Sequence, residues 1–370
     1  MIDVCQQAPA WIRNFMPYVP GKPTSELARE LGLDPDNIVK LASNENPLGV
    51  SPMALQAMQS ALADIARYPD AGGFDLKRAI AARFGVDVAQ VVLGNGSNDV
   101  LELAARTFLT PGTSAVYSKH AFAVYPLSVL AIGATGIESP ARDHGHDLDA
   151  MLAAIRADTR IVFIANPNNP TGTFLRGELI SGFLDRAPSN VTVLLDEAYT
   201  EYLDDADRYD SIRWLDRYPN LIVTRTFSKA YGLAGMRVGF GLAHPDVADL
   251  MNRIRQPFNV NTVAQAGAIA SLQDEAYVAR SRALNRDGMR QLTAGFARLG
   301  LEWIPSFGNF VCVRVGAADA VFQQLLRRGV IVRPVGGYAL PQWLRISIGL
   351  PAENERFLSA LTEVGVRAAP

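Results

Sequence analysis

The stretch that decides the fold is Thr226-Phe-Ser-Lys-Ala-Tyr-Gly-Leu-Ala-Gly-Met-Arg237, which follows an apolar run typical of a β-strand. Its lysine, Lys229, is preceded by hydroxyl residues and lies eight positions before Arg237. A lysine at a strand end beside a second cation can have its neutral amine favoured, and a neutral amine forms Schiff bases. A single lysine is by default a solvated surface residue, so the neighbouring segments have to decide between the two interpretations.

Short strand-like runs alternate with amphipathic helical runs around this stretch. The alternation predicts an α/β fold with a mostly parallel sheet flanked by helices. A Ser-Pro pair at Ser51 predicts the capped start of one of these helices. The predicted strands are residues 90–94, 114–117, 160–165, 191–195, 221–226 and 238–242.

Beyond residue 257 the pattern changes to long helices, followed by a smaller α+β part. We therefore predict a boundary near residue 255. The predicted division is an N-terminal arm (1–45), a large domain (46–255) and a small C-terminal domain (256–370). The later predicted elements are helices at 262–272 and 274–299 and strands at 310–315, 330–335 and 344–348.

The composition is that of an ordinary globular protein, with 49% apolar and 19% charged residues among 370. A net charge of −2 offers no general attraction for nucleic acid or anionic lipid, so an anionic ligand needs a local cluster. The apolar run 121–134 is shorter than the ~20 residues of a membrane span, and no secretory signal is visible. Two cysteines, Cys5 and Cys312, predict reduced thiols. We expect a cytoplasmic protein without nucleic-acid or membrane partners.

Two other strand ends carry polar residues. Gly94-Asn95-Gly96-Ser97-Asn98 joins a predicted strand to a helix, where glycines and free N–H groups favour a phosphate; a tight turn with Ser97 as N-cap is the alternative. The Asn166–Gly172 loop follows a buried strand at the edge where open α/β sheets bind ligands, but it is also a good turn sequence.

Asp196, in Leu194-Leu-Asp-Glu-Ala-Tyr199, ends another apolar strand. A buried carboxylate is costly without a cation or donor, so Asp196 is a candidate for holding a cationic group. The adjacent Glu197 can be a simple helix-start acid. No nucleophile elbow, phosphate-binding P-loop or metal-ligand pattern is present, and His144 and His146 are interpreted as a surface loop.

Taken in order, these segments resemble the fold-type-I pyridoxal-phosphate (PLP) aminotransferases, and among them the histidinol-phosphate aminotransferase group. The resemblance covers nearly the whole chain and implies the α/β fold-type-I architecture, with PLP bound by the large domain. The segments that carry it are residues 17–23 (PYVPGKP), 41–47 (LASNENP), 67–70 (RYPD), 94–99, 166–172, 196–199, 226–237 and 344–349 (LRISIG).

The resemblance assigns a role to each cofactor-binding residue. It implies that Lys229 bonds covalently to PLP and shuttles a proton, and that Asp196 pairs with the pyridinium nitrogen. It implies that Asn169 and Tyr199 hydrogen-bond the ring O3′ and that Phe122 stacks on the ring. The phosphate would be held by Gly96, Ser97, Asn98, Ser228 and Arg237, with Thr226 as a weaker candidate.

The resemblance also implies a homodimer with a composite active site, because the tyrosine matching Tyr68 reaches the phosphate in the partner subunit. The N-terminal arm would pack on the small domain or on the partner.

The resemblance implies that Arg345 binds the substrate carboxylate and that Tyr18, Asn46 and Arg333 contact the substrate. The expected reaction is transamination between histidinol phosphate and 2-oxoglutarate, giving imidazole-acetol phosphate and glutamate in histidine biosynthesis. An aromatic amino-acid aminotransferase is the alternative on the same scaffold. A threonine-phosphate decarboxylase and a non-catalytic PLP-fold protein are more distant alternatives.

Overall fold

The computed structural model describes residues 2–18 and 21–366. Outside the described residues lie Met1, two residues of the segment 17–23 (Val19 and Pro20), and residues 367–370 of the predicted C-terminal domain. The helices are α1 (Ala10–Arg13), α2 (Thr24–Leu31), α3 (Pro52–Ala61), α4 (Phe74–Phe84), α5 (Ser97–Phe108), α6 (Val124–Ile132), α7 (Leu148–Ala153), α8 (Gly177–Arg186), α9 (Pro245–Ile254), α10 (Thr262–Gln273), α11 (Glu275–Arg298), α12 (Ala318–Arg327) and α13 (Pro351–Val364). The strands are β1 (Val39–Lys40), β2 (Val91–Gly94), β3 (Ser114–Ser118), β4 (Thr135–Ser139), β5 (Ala141–Arg142), β6 (Gly145–His146), β7 (Thr159–Ala165), β8 (Thr192–Asp196), β9 (Leu221–Thr226), β10 (Gly239–Ala243), β11 (Trp303–Ile304), β12 (Phe310–Arg314), β13 (Val330–Ile331), β14 (Arg333–Pro334) and β15 (Trp343–Ser347).

Within the described residues, seven strands form the main sheet in the order β2-β10-β9-β8-β7-β3-β4. Strands β4, β3, β7, β8 and β9 run parallel, and β10 is antiparallel to both of its neighbours. The predicted α/β fold with a mostly parallel sheet is therefore confirmed. The reversal of β10 brings Gly239, its first residue, beside Thr226 and Gly94, the last residues of β9 and β2.

Helices cover both faces of the main sheet. Val193 and Leu195 of β8 belong to a core with α3, α4 and α10, whereas Leu194 belongs to a core with α5, α6 and α9 on the other face. Strands buried on both faces form nearly continuous apolar runs, which is why all six predicted strands are found within one residue of the predicted ends. Strand β4 was not predicted because it lies at an edge and is mostly exposed.

The C-terminal part forms a second sheet, in the order β11-β12-β15-β14, which packs against α11, α12 and α13. The strand predicted at 330–335 is divided, because β13 pairs in parallel with β1 whereas β14 pairs with β15. Helix α10 begins beyond residue 255 but packs on α3 and α4 and shares their core. A boundary after α10 follows this packing more closely, and the domain division stays a prediction.

The helix predicted at Ser51 is present as α3, and Ser51 caps its first turn. The helix buries Ala54 and Met58, but Leu62 and Ile65, just beyond its end, are exposed. Among residues 2–18 and 21–366, none of the helices combines the length and the apolar character needed to cross a membrane.

A buried ion pair joins β8 and β9 on the face of the sheet opposite Asp196. Nη2 and Nε of Arg225 donate to Glu197 Oε2 at 2.7 and 3.1 Å, and Arg225 Nη1 lies 3.7 Å from Glu201 Oε1. The Glu197 side chain is 1% exposed. A charge this deeply buried is destabilising unless its partner is retained.

We expect Arg225→Met to lower the free energy of unfolding by about 3–5 kcal/mol, since Glu197 would remain as an unpaired buried charge. Chemical denaturation of the purified protein measures the change. Arg217→Met is the matched control, because it removes an exposed pair with Asp185 and should cost about 0–1 kcal/mol. Equal losses in the two variants would contradict this account.

Candidate active site

The residues that follow the parallel strands meet at one edge of the main sheet and line a cavity of about 260 Å³. Gly96 lies beside this cavity, against Arg237. Asn46 and Tyr68 do not line it. The predicted site residues that line the cavity are Tyr18, Ser97, Asn98, Phe122, Asn169, Asp196, Tyr199, Thr226, Ser228, Lys229, Arg237, Arg333 and Arg345.

A larger groove of about 840 Å³ lies between the β5–β6 hairpin, α8 and residues 302–307, away from Lys229. Its arginines are paired, Arg142 with Asp147 and Arg186 with Asp149, both at 2.7 Å. The interpretation of His146 as part of a surface loop is wrong. The hairpin folds onto β7, so His146 is buried and its Nε2 lies 2.9 Å from the Ala165 carbonyl oxygen and 3.1 Å from the Ala165 nitrogen.

One corner of the cavity is built to receive an anion. The N-terminus of α5 begins at Ser97, and Gly96 before it has φ +89°, a left-handed conformation that favours glycine. A Cβ at Gly96 would collide with the Arg237 guanidinium, and Arg237 Nη1 donates to Ser228 Oγ at 3.3 Å. Free N–H groups, a helix dipole and a guanidinium converge here, which is the arrangement that binds a phosphate.

Asp196 ends β8 at the opposite side of the cavity. The Tyr125 hydroxyl donates to its Oδ2 at 2.8 Å and the Thr224 hydroxyl donates to its Oδ1 at 3.1 Å. Burial raises the pKa of Asp196, and these two hydrogen bonds oppose that rise. The sequence analysis missed Tyr125 and Thr224, because each lies within an apolar run that indicated only core.

Lys229 follows β9 and projects between the two sides of the cavity. Its Nζ donates to the Ser43 carbonyl at 3.2 Å and lies 5.8 Å from the centre of the Tyr199 ring. Burial, followed by the charges of Arg345 and Arg237 among other neighbours, lowers the pKa of Lys229 to about 8. The neutral form, which acts as a nucleophile or base, is therefore more populated near neutral pH than in an ordinary lysine.

Two arginines of the C-terminal sheet face the same cavity. Arg345 of β15 and Arg333 of β14 are directly opposite each other in the antiparallel pair. Arg345 donates to Asn169 Oδ1 at 2.6 Å and to the Ala42 carbonyl at 2.7 Å, and its buried Nε has no hydrogen-bond partner among the described residues. The Arg333 guanidinium lies 5.3 Å from the centre of the Tyr18 ring.

The segment 41–47 places Asn44, rather than the predicted Asn46, in the cavity wall. Asn46 Nδ2 donates to the Ala230 carbonyl at 2.9 Å and to Ser281 Oγ at 2.8 Å, so its amide is occupied in holding the chain. Asn44 has φ +55° and donates from Nδ2 to the Tyr199 hydroxyl at 3.0 Å. The structure therefore does not bring Asn46 to the cavity of its own chain.

Tyr68 lies outside the cavity of its own chain. The side chain is 83% exposed, and its ring stacks on Phe258 with the ring centres 4.7 Å apart. A role in the site of a partner subunit stays a prediction.

The family profile described as aminotransferase class I and II matches residues 36–361. The chain belongs to this family and is an aminotransferase. Its relatives include histidinol-phosphate aminotransferase 2 of Nitrosospira multiformis, 61% identical over 97% of this chain and 92% of that protein. The histidinol-phosphate aminotransferase of Methylobacillus flagellatus is 62% identical over 96% of this chain and 97% of that protein.

A solved structure with the same architecture is histidinol-phosphate aminotransferase from Sinorhizobium meliloti in complex with pyridoxal 5′-phosphate. It has a TM-score of 0.90 and 31% sequence identity, with 97% of each chain covered. An aspartate aminotransferase of Thermus thermophilus, at 21% identity and a TM-score of 0.83, shares the fold over 96% of this chain and 99% of its own. The predicted fold-type-I architecture is confirmed.

We expect Tyr125→Phe to raise the pKa of Asp196 further, because it removes a donor that favours the ionised carboxylate. The proton affinity of Asp196 should rise about tenfold, the scale of one hydrogen bond to a charged group. A ¹³C NMR titration of the aspartate carboxyl carbons measures this. Tyr117→Phe is the matched control, since its hydroxyl lies over Gly136 of β4. An Asp196 titration unchanged by Tyr125→Phe would refute the assignment.

Proposed function

We propose that this aminotransferase uses PLP to transfer an amino group from histidinol phosphate to 2-oxoglutarate, giving imidazole-acetol phosphate and glutamate. The observation that carries the proposal is the placement of Arg333 and Arg345 opposite each other, facing the cavity that holds Lys229. The names of the relatives at about 60% identity support the same donor. The place in histidine biosynthesis follows from that donor.

The residues of the cavity fit PLP. The corner formed by Gly96, Ser97 and Arg237 suits the phosphate, and a side chain at Gly96 would fill it. Asp196 lies where a ring nitrogen would need an acidic partner, and Phe122 offers an apolar face. When bound, PLP supplies the aldehyde that bonds to the amino group and a ring that takes up the electrons left at the α-carbon.

Lys229 acts as the base in this proposal. The neutral amine, made more accessible near neutral pH by a pKa of about 8, would remove a proton from the α-carbon of the substrate and return it at C4′. Asp196 would accept a hydrogen bond from the ring nitrogen of the cofactor and keep a proton on that atom. Tyr125 and Thr224 hold the Asp196 carboxylate ionised and oriented for this task.

The two arginines bind the anionic groups of both substrates in turn. The 2-oxoglutarate molecule carries two carboxylates, whereas histidinol phosphate carries a phosphate and no carboxylate. Arg345 presents its guanidinium to the cavity for one anion, and Arg333 with Tyr18 lies where the second would be bound. A planar guanidinium can form paired hydrogen bonds with either kind of anion.

We expect kcat/KM for histidinol phosphate to exceed that for phenylalanine and tyrosine, with 2-oxoglutarate as acceptor. Arg333→Ala should reduce turnover of histidinol phosphate about ten- to a hundredfold, the scale of a charge-assisted hydrogen bond, and turnover of phenylalanine less. The measurement is glutamate formation with a panel of donors. Arg314→Ala, which removes an exposed arginine of the same sheet, is the control. Equal losses for both donors would favour the aromatic aminotransferase instead.

A homodimer with a composite site is part of the proposal. Leu62, Ile65, Tyr68 and Phe258 are large apolar side chains exposed in the single chain. The stacked rings of Tyr68 and Phe258 form an exposed apolar contact, which is typical of an association surface. A cytoplasmic location is supported by the two free cysteines, Cys5 and Cys312.

Mixing a Lys229→Ala chain with a Tyr68→Ala chain, each inactive alone, should restore about half of the sites in the mixed dimers, because one of the two sites of each mixed dimer is complete. Glutamate formation in verified mixed dimers measures the recovery. Lys229→Ala mixed with Asp196→Ala is the matched control and should recover nothing, since both residues come from one chain. A Tyr68→Ala chain with full activity, or no recovery in mixed dimers, would overturn the composite site.

A further inference from the structure

We propose that Asn44 is a positioning residue that orients the Tyr199 hydroxyl toward the bound cofactor. The inference rests on the proposed use of PLP. Asn44 is 1% exposed, and its Nδ2 lies 3.0 Å from Tyr199 Oη. The contact joins residues 155 positions apart, so it is made only by the folded chain.

The orientation of the Asn44 amide follows from its bonds to Ser347. The Asn44 backbone N–H donates to Ser347 Oγ at 2.8 Å, and the Ser347 hydroxyl donates to Asn44 Oδ1 at 3.0 Å. The amide oxygen therefore faces Ser347 and the amide nitrogen faces Tyr199. Because an amide nitrogen only donates, Tyr199 Oη is the acceptor in the bond between them.

The Tyr199 hydroxyl consequently has to donate its one proton to another group. Burial raises the pKa of Tyr199 to about 12, so the hydroxyl keeps this proton near neutral pH. Tyr199 lines the same cavity as Lys229 and Asp196. A ring oxygen of PLP bound between these two residues is the acceptor toward which the free proton is directed.

Asn44 is held in place by the C-terminal sheet. Ser347 belongs to β15, and Asn309, immediately before β12, donates from Nδ2 to the Asn44 carbonyl at 3.0 Å. The left-handed backbone of Asn44, at φ +55°, is one that asparagine tolerates better than most residues. The sheet that presents Arg345 to the substrate therefore also fixes the hydrogen-bond donor for the cofactor.

The informative variant is Asn44→Asp, which keeps the size of the side chain and tolerates the same backbone. A carboxylate oxygen replaces the amide nitrogen, so it accepts the Tyr199 proton and takes it away from the cofactor. Hydrogen-bond donation to the ring oxygen favours the deprotonated form of the bound cofactor. We expect the pH midpoint of the visible absorption of the holoenzyme to move upward, with proton affinity about tenfold higher, and the Kd for PLP to rise about tenfold.

The same substitution in a Tyr199→Phe background separates positioning from charge. Arg345, Asp196, Tyr338 and Lys229 also face Tyr199, and they stay unchanged in both backgrounds. If Asn44 acts through Tyr199, Asn44→Asp should move the midpoint and the Kd much less once the hydroxyl is gone, because only the direct effect of the new charge remains. Equal shifts in both backgrounds would overturn the proposal.

Asn354→Asp is the matched control, because it changes a fully buried asparagine that bonds to Gln291 and Gly349 rather than to Tyr199. It should lower the Tm without moving the midpoint of the holoenzyme. Failure of the protein to bind PLP would overturn the proposed function. An unchanged midpoint in an Asn44→Asp holoenzyme that still transaminates histidinol phosphate would overturn only the role of Asn44.

Discussion

The burial of a carboxylate at the end of β8 is the constraint on which the arrangement of the site depends. Asp196 can remain ionised there only if hydrogen-bond donors surround it, and these come from α6 and β9 through Tyr125 and Thr224. On the opposite face, Glu197, which directly follows β8, pairs with Arg225 of β9. A register shift of one residue would place each side chain on the wrong face, so both pairs fix the same alignment.

Much of the fold could be predicted from the sequence because the strands of the main sheet are buried on both faces and form continuous apolar runs. Elements that depend on distant pairing could not. The divided strand at β13 and β14 exists because Val39 and Lys40 pair with Val330 and Ile331, nearly 300 residues away. Edge strand β4 has too little buried surface to leave an apolar pattern.

The site residues that follow strand ends could also be predicted, because the carboxyl ends of parallel strands meet at one edge. The residues that hold these side chains in place could not be predicted from the sequence. Tyr125 belongs to an apolar run, and only the packing of α6 brings its hydroxyl to Asp196. Asn44 and Asn46 share one motif, and the left-handed backbone at Asn44 decides which amide reaches the cavity.

In the proposed mechanism, an anionic substrate bound by the arginines of the cavity would also change the pKa of Lys229. Arg345 and Arg237 disfavour the protonated form of Lys229, and burial adds to their effect. An anion bound to Arg345 offsets the positive charge of that guanidinium, so it weakens one cause of the lowered pKa of Lys229. In the proposed mechanism, this would make the amine a stronger base when an anion is bound, with a smaller neutral fraction at a given pH. In that mechanism, the guanidinium that binds the anion would therefore also tune the basicity of the lysine.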